Sequence, residues 1–177
     1  KYTETLRSNP TAFQATGATG AGVCVTNSGN DYEGQMLVWS AFPDVASALE
    51  GGTKYDPQQA PRQFKNLREL KYGVTWKALT PFRLEPGYER VQRIRVSAEN
   101  LQAFTEGLEK LEASIRAAGH PNFFNGAFVP IGGGSHEIET LTIRSVTRDA
   151  QSMGILFDEY FSGNASWASD YDSLMLL

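Results

Sequence analysis

A pair of strand-like segments joined by a glycine run, residues 122–147, constrains the fold of this chain more than any other stretch. The first segment is rich in strand-forming side chains, and the glycines at 132–134 can supply the positive φ of a tight reversal. From residue 135 to 147 the side chains alternate, which is typical of a strand with two different faces. One parity is apolar and contains Leu141 and Ile143. The other parity carries mostly polar groups, which are His136, Thr140, Thr142 and Arg144, together with Ile138. We therefore predict a hairpin that packs one face on helices and turns the other toward water or a polar-lined cavity.

Helical patterns flank this hairpin on both sides. Ser97 is a good N-cap residue, and the segment after it carries an apolar stripe at steps of three and four residues. The stripe consists of Leu101, Phe104, Leu108, Leu111 and Ile115. Gly119 is placed to end this helix, and Asp149 is placed to begin a second one after the hairpin. The order strand, helix, strand, turn, strand, helix is thus expected for the second half of the chain.

The first half shows the same order of elements entered at a different point. Local matches at a constant offset of 104 residues support a repeat: Gly22, Val25, Gly29 and Leu37 align with Gly126, Val129, Gly133 and Leu141. The helix-starting residues Asp44 and Asp149 match one residue out of step. We predict two ferredoxin-like repeats, residues 1–83 and 84–177, with the beginning of the first repeat lying before Lys1.

Composition limits the classes of function. The chain has 177 residues with 41% hydrophobic and 20% charged side chains, as expected for a soluble globular protein. A net charge of −4 gives no electrostatic basis for binding nucleic acid. No apolar run approaches the roughly 18 residues of a membrane span. The single cysteine, Cys24, excludes an internal disulfide and a cysteine-rich metal site. The first residue is Lys1, so the compartment stays open between the cytoplasm and export by a preceding leader.

The motif Gly-Gly-Gly-Ser-His at 132–136, followed by an alternating strand and an Asp-started helix, resembles the second half of a dimeric α+β barrel domain. This superfamily includes antibiotic-biosynthesis monooxygenase-like, NIPSNAP-like and stress-responsive barrel proteins. The first half is similar to it through the turn at 27–31 and the strand that runs to Phe42. The resemblance implies an α+β fold in which two ferredoxin-like units join antiparallel sheets into a barrel within one chain, with helices outside and a cavity inside.

His136 and Arg144 are the candidate site residues on the polar parity. An imidazole can bind an anionic or carbonyl-bearing ligand or move a proton near neutral pH. The structural alternative for His136 is a strand-end histidine hydrogen-bonded to the turn. Arg144 lies eight residues further along the same face and could hold a carboxylate through two hydrogen bonds. Its alternative is an ion pair at the edge of the sheet. Thr140 and Thr142 share this face and are predicted to contact a ligand.

Three aromatic residues in predicted strands, Trp39, Trp76 and Phe128, could form the wall of a cavity, since ligand pockets are largely apolar and aromatic. Their alternative role is ordinary core packing. Neither His120 nor His136 has a carboxylate or cysteine at ligand spacing, so we predict no metal site and no cofactor. His120 follows a helix-ending glycine, where a cation suits the helix dipole.

These residues leave three functions open. The first is a barrel protein that binds a small apolar or aromatic molecule between its sheets. The second, implied by the resemblance, is a cofactor-independent monooxygenase-like enzyme acting on small molecules, with His136 and Arg144 as its candidate catalytic groups. The third is a non-catalytic module that pairs with another copy of itself. The chain is accordingly expected to be a monomer or a homodimer.

Overall fold

The computed structural model describes residues 1–56, 58 and 60–177. They form an α+β protein with two compact units, Lys1–Gly73 and Val74–Leu177. Its strands form two antiparallel sheets, one of two strands and one of four. The predicted α+β class and the antiparallel pairing are confirmed. Within the described residues each sheet is open, and no closed barrel is formed.

The first unit combines a β-hairpin with short helices. Its elements are α1 (Tyr2–Ser8), α2 (Thr11–Ala15), β1 (Gly20–Val25), β2 (Met36–Ala41), α3 (Val45–Thr53) and α4 (Arg62–Lys65). Strands β1 and β2 pair without a register shift, and Gly22 lies opposite Trp39. The small core is built on Tyr2, Leu6 and Phe64, which come from the helices at the two ends of the unit.

The second unit places helices against a four-stranded sheet. Its elements are β3 (Thr75–Ala78), β4 (Tyr88–Ile94), α5 (Leu101–Ala117), β5 (Phe124–Gly132), β6 (Leu141–Thr147), α6 (Ala150–Phe161) and α7 (Ala168–Leu174). The strand order is β3-β5-β6-β4. Strand β6 thus lies between β4 and β5, which are joined through α5, and this split arrangement is compatible with a ferredoxin-like fold. The segment after α6 forms the short helix α7.

The core of the second unit lies between the helices and one face of the sheet. The predicted stripe of α5 is confirmed, because Phe104, Leu108, Leu111 and Ile115 are all buried. They pack with Ala127 of β5, with Leu141 and Ile143 of β6, and with residues of α6 and α7. The predicted apolar parity of β6 therefore faces the helices.

The prediction that the strand begins at residue 135 is wrong. Residues Gly134–His136 form a turn of 3₁₀ helix, and β6 begins only at Leu141. The physical reason lies in the backbone: Gly134 has φ of 60° and Glu139 has φ of 57°, and both values break an extended chain. The polar alternation between residues 135 and 140 therefore does not describe a sheet face, and His136 is not on the polar face of β6.

Both hairpins lead into a helix that is capped in the same way. Asp44 accepts a hydrogen bond from the backbone nitrogen of Ser47 at 2.7 Å, and Asp149 accepts one from that of Ser152 at 2.8 Å. Their backbone angles are nearly the same, with φ and ψ of −152° and 172° in Asp44 and of −155° and 172° in Asp149. The two units therefore share a hairpin followed by an Asp-capped helix.

Strand pairing refines the sequence alignment of these hairpins. Gly22 lies opposite Trp39, and Gly126 lies opposite Arg144. The two glycines are 104 residues apart, whereas their partners Trp39 and Arg144 are 105 residues apart. The capping residues Asp44 and Asp149 are also 105 residues apart. The match between Leu37 and Leu141 is therefore one residue out of register, since the second hairpin carries one more residue in its turn.

Candidate functional site

The candidate site is the face of the four-stranded sheet that points away from the helices. We call it the aromatic sheet face. It is formed by Trp76 and Ala78 of β3, Phe124, Gly126 and Phe128 of β5, Thr142, Arg144 and Val146 of β6, and Glu89, Val91 and Arg93 of β4. The sequence correctly placed Thr142 and Arg144 on the face opposite Leu141 and Ile143, because side chains alternate along a strand.

Arg144 is held at the centre of this face. Its guanidinium pairs with both carboxylate oxygens of Glu89, and the Nη2–Oε2 distance is 2.9 Å. The two side chains keep only 15% and 12% of their surfaces exposed. The guanidinium carbon lies 4.8 Å from the ring centre of Phe82 and 5.6 Å from that of Phe128, which is cation–π geometry. Arg144 is thus a charge-compensated part of the face, and its predicted role in holding a ligand carboxylate stays a prediction.

Three phenylalanines form the apolar part of the face. The ring centre of Phe82, from the segment between β3 and β4, lies 5.2 Å from that of Phe124 and 5.1 Å from that of Phe128, both edge-on. Gly126 makes this contact possible, since a Cβ there would lie 2.5 Å from Phe82 Cδ2. The guanidinium of Arg83 covers the outer side of Phe124 at 4.4 Å. The result is a layer of rings on the sheet with cations at its margin.

A second ion pair closes the end of the face nearest the β5–β6 turn. Arg93 donates from Nε to both oxygens of Glu137, at 3.1 and 3.2 Å, and from Nη2 to Oε1 at 2.9 Å. The Glu137 side chain is 1% exposed, whereas that of Arg93 is 45% exposed. This pair fixes the turn that contains His136 and Thr140, and Thr140 also donates its hydroxyl to the Glu137 carbonyl at 3.3 Å.

Two buried polar atoms on the aromatic sheet face have no hydrogen-bond partner within the described residues. They are Nε1 of Trp76 and Oγ1 of Thr142. Phe128 lies opposite Thr142 in the β5–β6 pair, and Trp76 lies opposite Pro130 in the β3–β5 pair. Buried donors and acceptors are nearly always satisfied, so each such group needs an explanation. A third atom of this kind, Nε1 of Trp167, lies in the helix-side core instead.

The remaining predicted site residues lie elsewhere. His136 is exposed in the 3₁₀ turn, and the structure brings Arg144 to the rings and not into a pocket with this imidazole. Trp39 lies in β2 of the first unit, where its indole occupies the space that a side chain at Gly22 would need. The roles of His136, Thr140 and Trp39 in ligand binding therefore stay predictions.

Two surface depressions lie in the second unit. One, of about 350 Å³, is lined by Leu79, Ala98, Leu101, Gln102 and Thr105. The other, of about 80 Å³, is lined by Glu85, Pro86, Asn122, Phe124, Thr147 and Arg148, so it reaches the margin of the aromatic sheet face at Phe124. Neither is lined by His136 or Arg144, the residues expected to point into a closed aromatic cavity.

The part of the chain that the structure describes has neither a metal-ligand cluster nor a helix suited to crossing a membrane. No group of three or more His, Cys, Asp or Glu side chains there could hold a metal ion. His120 binds Glu159 through its Nε2, at 3.0 Å from Oε2, and so joins the end of α5 to α6. No helix among residues 1–56, 58 and 60–177 combines the length and apolarity that a membrane crossing requires.

Sequence reasoning missed several of the residues that build this face. No local pattern in the sequence marks Glu89, Phe82 or Glu137. Their partners Arg144, Phe128 and Arg93 lie 55, 46 and 44 residues away, respectively. Comparisons with protein-family models, curated proteins and solved structures gave no match to this chain.

Proposed function

We propose that the protein binds a small neutral molecule, aromatic or apolar with a hydrogen-bond acceptor, on the aromatic sheet face of its second unit. One observation carries the proposal: Trp76 Nε1 and Thr142 Oγ1 are buried on this face without partners in the described residues. An unsatisfied buried polar group costs about 1–3 kcal/mol, so a fold that keeps two of them on one face is favoured when a ligand satisfies them.

The charges on the face support a neutral ligand. Arg144 is paired with Glu89, and Arg93 is paired with Glu137, each through two or more hydrogen bonds. Their formal charges offset each other, so the face offers no surplus charge to an ionised ligand. The indole N–H is only a donor, and a hydroxyl can donate as well, so a carbonyl oxygen is the complementary group.

The spacing of the strands supports a ligand of about two fused rings. Trp76 lies on β3 and Thr142 lies on β6, with β5 between them. Strands two positions apart are separated by about 10 Å, so a carbonyl oxygen that accepts from Trp76 Nε1 would leave the rings of the ligand to extend over β5 toward Thr142. Phe128, between the two polar atoms, would provide the ring surface on which such a ligand stacks.

The proposal includes the finer architecture expected from the sequence. The shared hairpin and Asp-capped helix support two related ferredoxin-like units, and the second unit's split strand order is compatible with that fold. The repeat boundaries at 1–83 and 84–177 belong to this proposal.

The test compares 1-tetralone with tetralin, which share a two-ring skeleton and differ in the carbonyl oxygen. Titration calorimetry of the full chain is expected to give about tenfold tighter binding of 1-tetralone, the value of one hydrogen bond. Trp76→Phe keeps an aromatic ring but removes the donor, so the preference is expected to fall toward unity.

Trp167→Phe is the matched control, because it removes the other buried indole N–H without a partner, on the helix side of the sheet. This variant is expected to keep the preference for 1-tetralone. A wild-type protein that binds neither compound would refute the proposal. A preference that survives Trp76→Phe, or that disappears equally in Trp167→Phe, would place the binding site elsewhere.

A further inference from the structure

The four-stranded sheet has two edge strands that differ in how they are protected. Strand β3 is four residues long, carries Lys77, and shifts register between Thr75 and Trp76. A short strand, a lysine and a bulge are the devices by which proteins block pairing at a sheet edge. Strand β4 is longer and more regular: it is seven residues long, lacks lysine and proline, and pairs with β6 without a shift, and its charged side chains are of both signs, Glu89, Arg90 and Arg93.

The outward edge of β4 is available for pairing. Among the backbone hydrogen bonds of the described residues, none joins this edge to another strand. Val91 is 47% exposed, and the side chain of Arg93 is 45% exposed. A ferredoxin-like fold has a further strand beside β4 at this position, whereas among the described residues the segment that follows α6 forms the helix α7.

We propose that β4 pairs with β4 of a second copy in an antiparallel arrangement whose two-fold axis passes at Val91. The sequence of β4 is self-complementary about this residue. Glu89 then lies opposite Arg93 of the second copy, Tyr88 lies opposite Ile94, and Arg90 lies opposite Gln92. Opposite charges and apolar pairs across an antiparallel ladder stabilise it, and like charges directly opposite would not.

This pairing joins the two ion pairs of the aromatic sheet face into a continuous series. Within one copy, Glu89 binds Arg144 and Arg93 binds Glu137. Across the axis, Arg93 of one copy approaches Glu89 of the other, on the same face of the sheet. The two four-stranded sheets become one of eight strands, and both aromatic sheet faces lie on the same side, because the axis is perpendicular to the sheet.

The experiment measures the assembly state of the full chain by sedimentation velocity, at concentrations up to the order of 100 µM, since a short edge interface binds weakly. The wild type is expected to sediment as a dimer of the 19.5 kDa chain. Val91→Lys and Val91→Glu each place two like charges against each other at the axis, and each is expected to weaken the dimer by at least about tenfold. A mixture of the two variants is expected to recover the dimer, because lysine then faces glutamate.

Ile131→Lys is the matched control: Ile131 lies in β5 and is 48% exposed, close to the 47% of Val91. It is expected to leave the dimer unchanged. A wild type that stays monomeric throughout the concentration range would overturn the proposal. A dimer that resists Val91→Lys, a mixture that does not recover, or an equal effect of Ile131→Lys would each show that β4 is not the interface.

Discussion

Two buried threonines of the second unit are predicted to respond with opposite sign to the same substitution. Thr142 and Thr80 are 5% and 6% exposed. The Thr142 hydroxyl has no partner within the described residues, whereas Thr80 Oγ1 accepts a hydrogen bond from the backbone nitrogen of Ala127 at 3.1 Å. Valine has nearly the shape of threonine, so each substitution mainly tests the hydroxyl.

The expected change in the free energy of unfolding follows from whether each hydroxyl takes part in a hydrogen bond. Thr142→Val removes an unsatisfied buried group and is expected to stabilise the ligand-free protein by about 1 kcal/mol. Thr80→Val leaves the N–H of Ala127, a residue with 0% exposure, without an acceptor, and is expected to cost about 1–3 kcal/mol. The two variants should therefore differ by at least about 2 kcal/mol, or roughly 8–16 °C in melting temperature for a unit of this size.

The assay is thermal and urea unfolding of the two variants and the wild type, with the protein first freed of any bound molecule by partial unfolding and dialysis. The opposite signs are the critical result. If Thr142→Val destabilises the ligand-free protein as much as Thr80→Val does, the Thr142 hydroxyl has a partner in solution. A ligand on the aromatic sheet face would then not be needed to satisfy this hydroxyl, and the proposed binding site would be refuted.

Two further predictions concern the cap of α6 and the glycine at position 126 in β5. Hydrogen bonds from the backbone and side chain of Ser152, with the Arg148 guanidinium beside them, lower the pKa of Asp149 to about 2. The stabilisation by this carboxylate is therefore complete above its unfolded pKa near 4, and it is lost as the pH falls toward 2. Asp149→Asn keeps a capping oxygen but does not titrate, so its melting temperature should lose this pH dependence. Gly126→Ala would press a Cβ into Phe82 and should lower the free energy of unfolding in urea by roughly 1–3 kcal/mol. Gly132→Ala is the control, because open space surrounds Gly132, and it should be nearly neutral. Equal losses of stability in the two variants would contradict this packing.

Local features of the fold could be predicted because their causes lie within a few residues. The α5 stripe follows from apolar side chains at helical spacing, and Phe104 and Leu108 are buried where it predicts. Asp149 caps α6 through Ser152, three residues away. The alternation of Leu141 and Thr142 likewise separated the two faces of β6 correctly.

The segment between residues 135 and 140 could not be predicted in the same way. Its polar alternation imitates a strand, yet the backbone turns at Gly134 and Glu139. Glu137 is drawn into the interior by Arg93, which lies 44 residues earlier in the chain. A charged residue is expected at the surface unless a buried partner compensates it, and sequence alone does not identify that partner.

By itself, the sequence determined the helix α5, the Asp149 cap of α6 and the two faces of β6, because period and capping are properties of neighbouring residues. Only the tertiary structure decided which groups meet on the aromatic sheet face. Pairing of β4 with β6 brings Glu89 to Arg144, and the loop before β4 places Phe82 over Gly126. Trp76 and Thr142 share that face because β5 pairs with both β3 and β6. Strand order and register determine which residues form the site. They depend on contacts across the whole unit, so no pattern of neighbouring residues in the sequence predicts them.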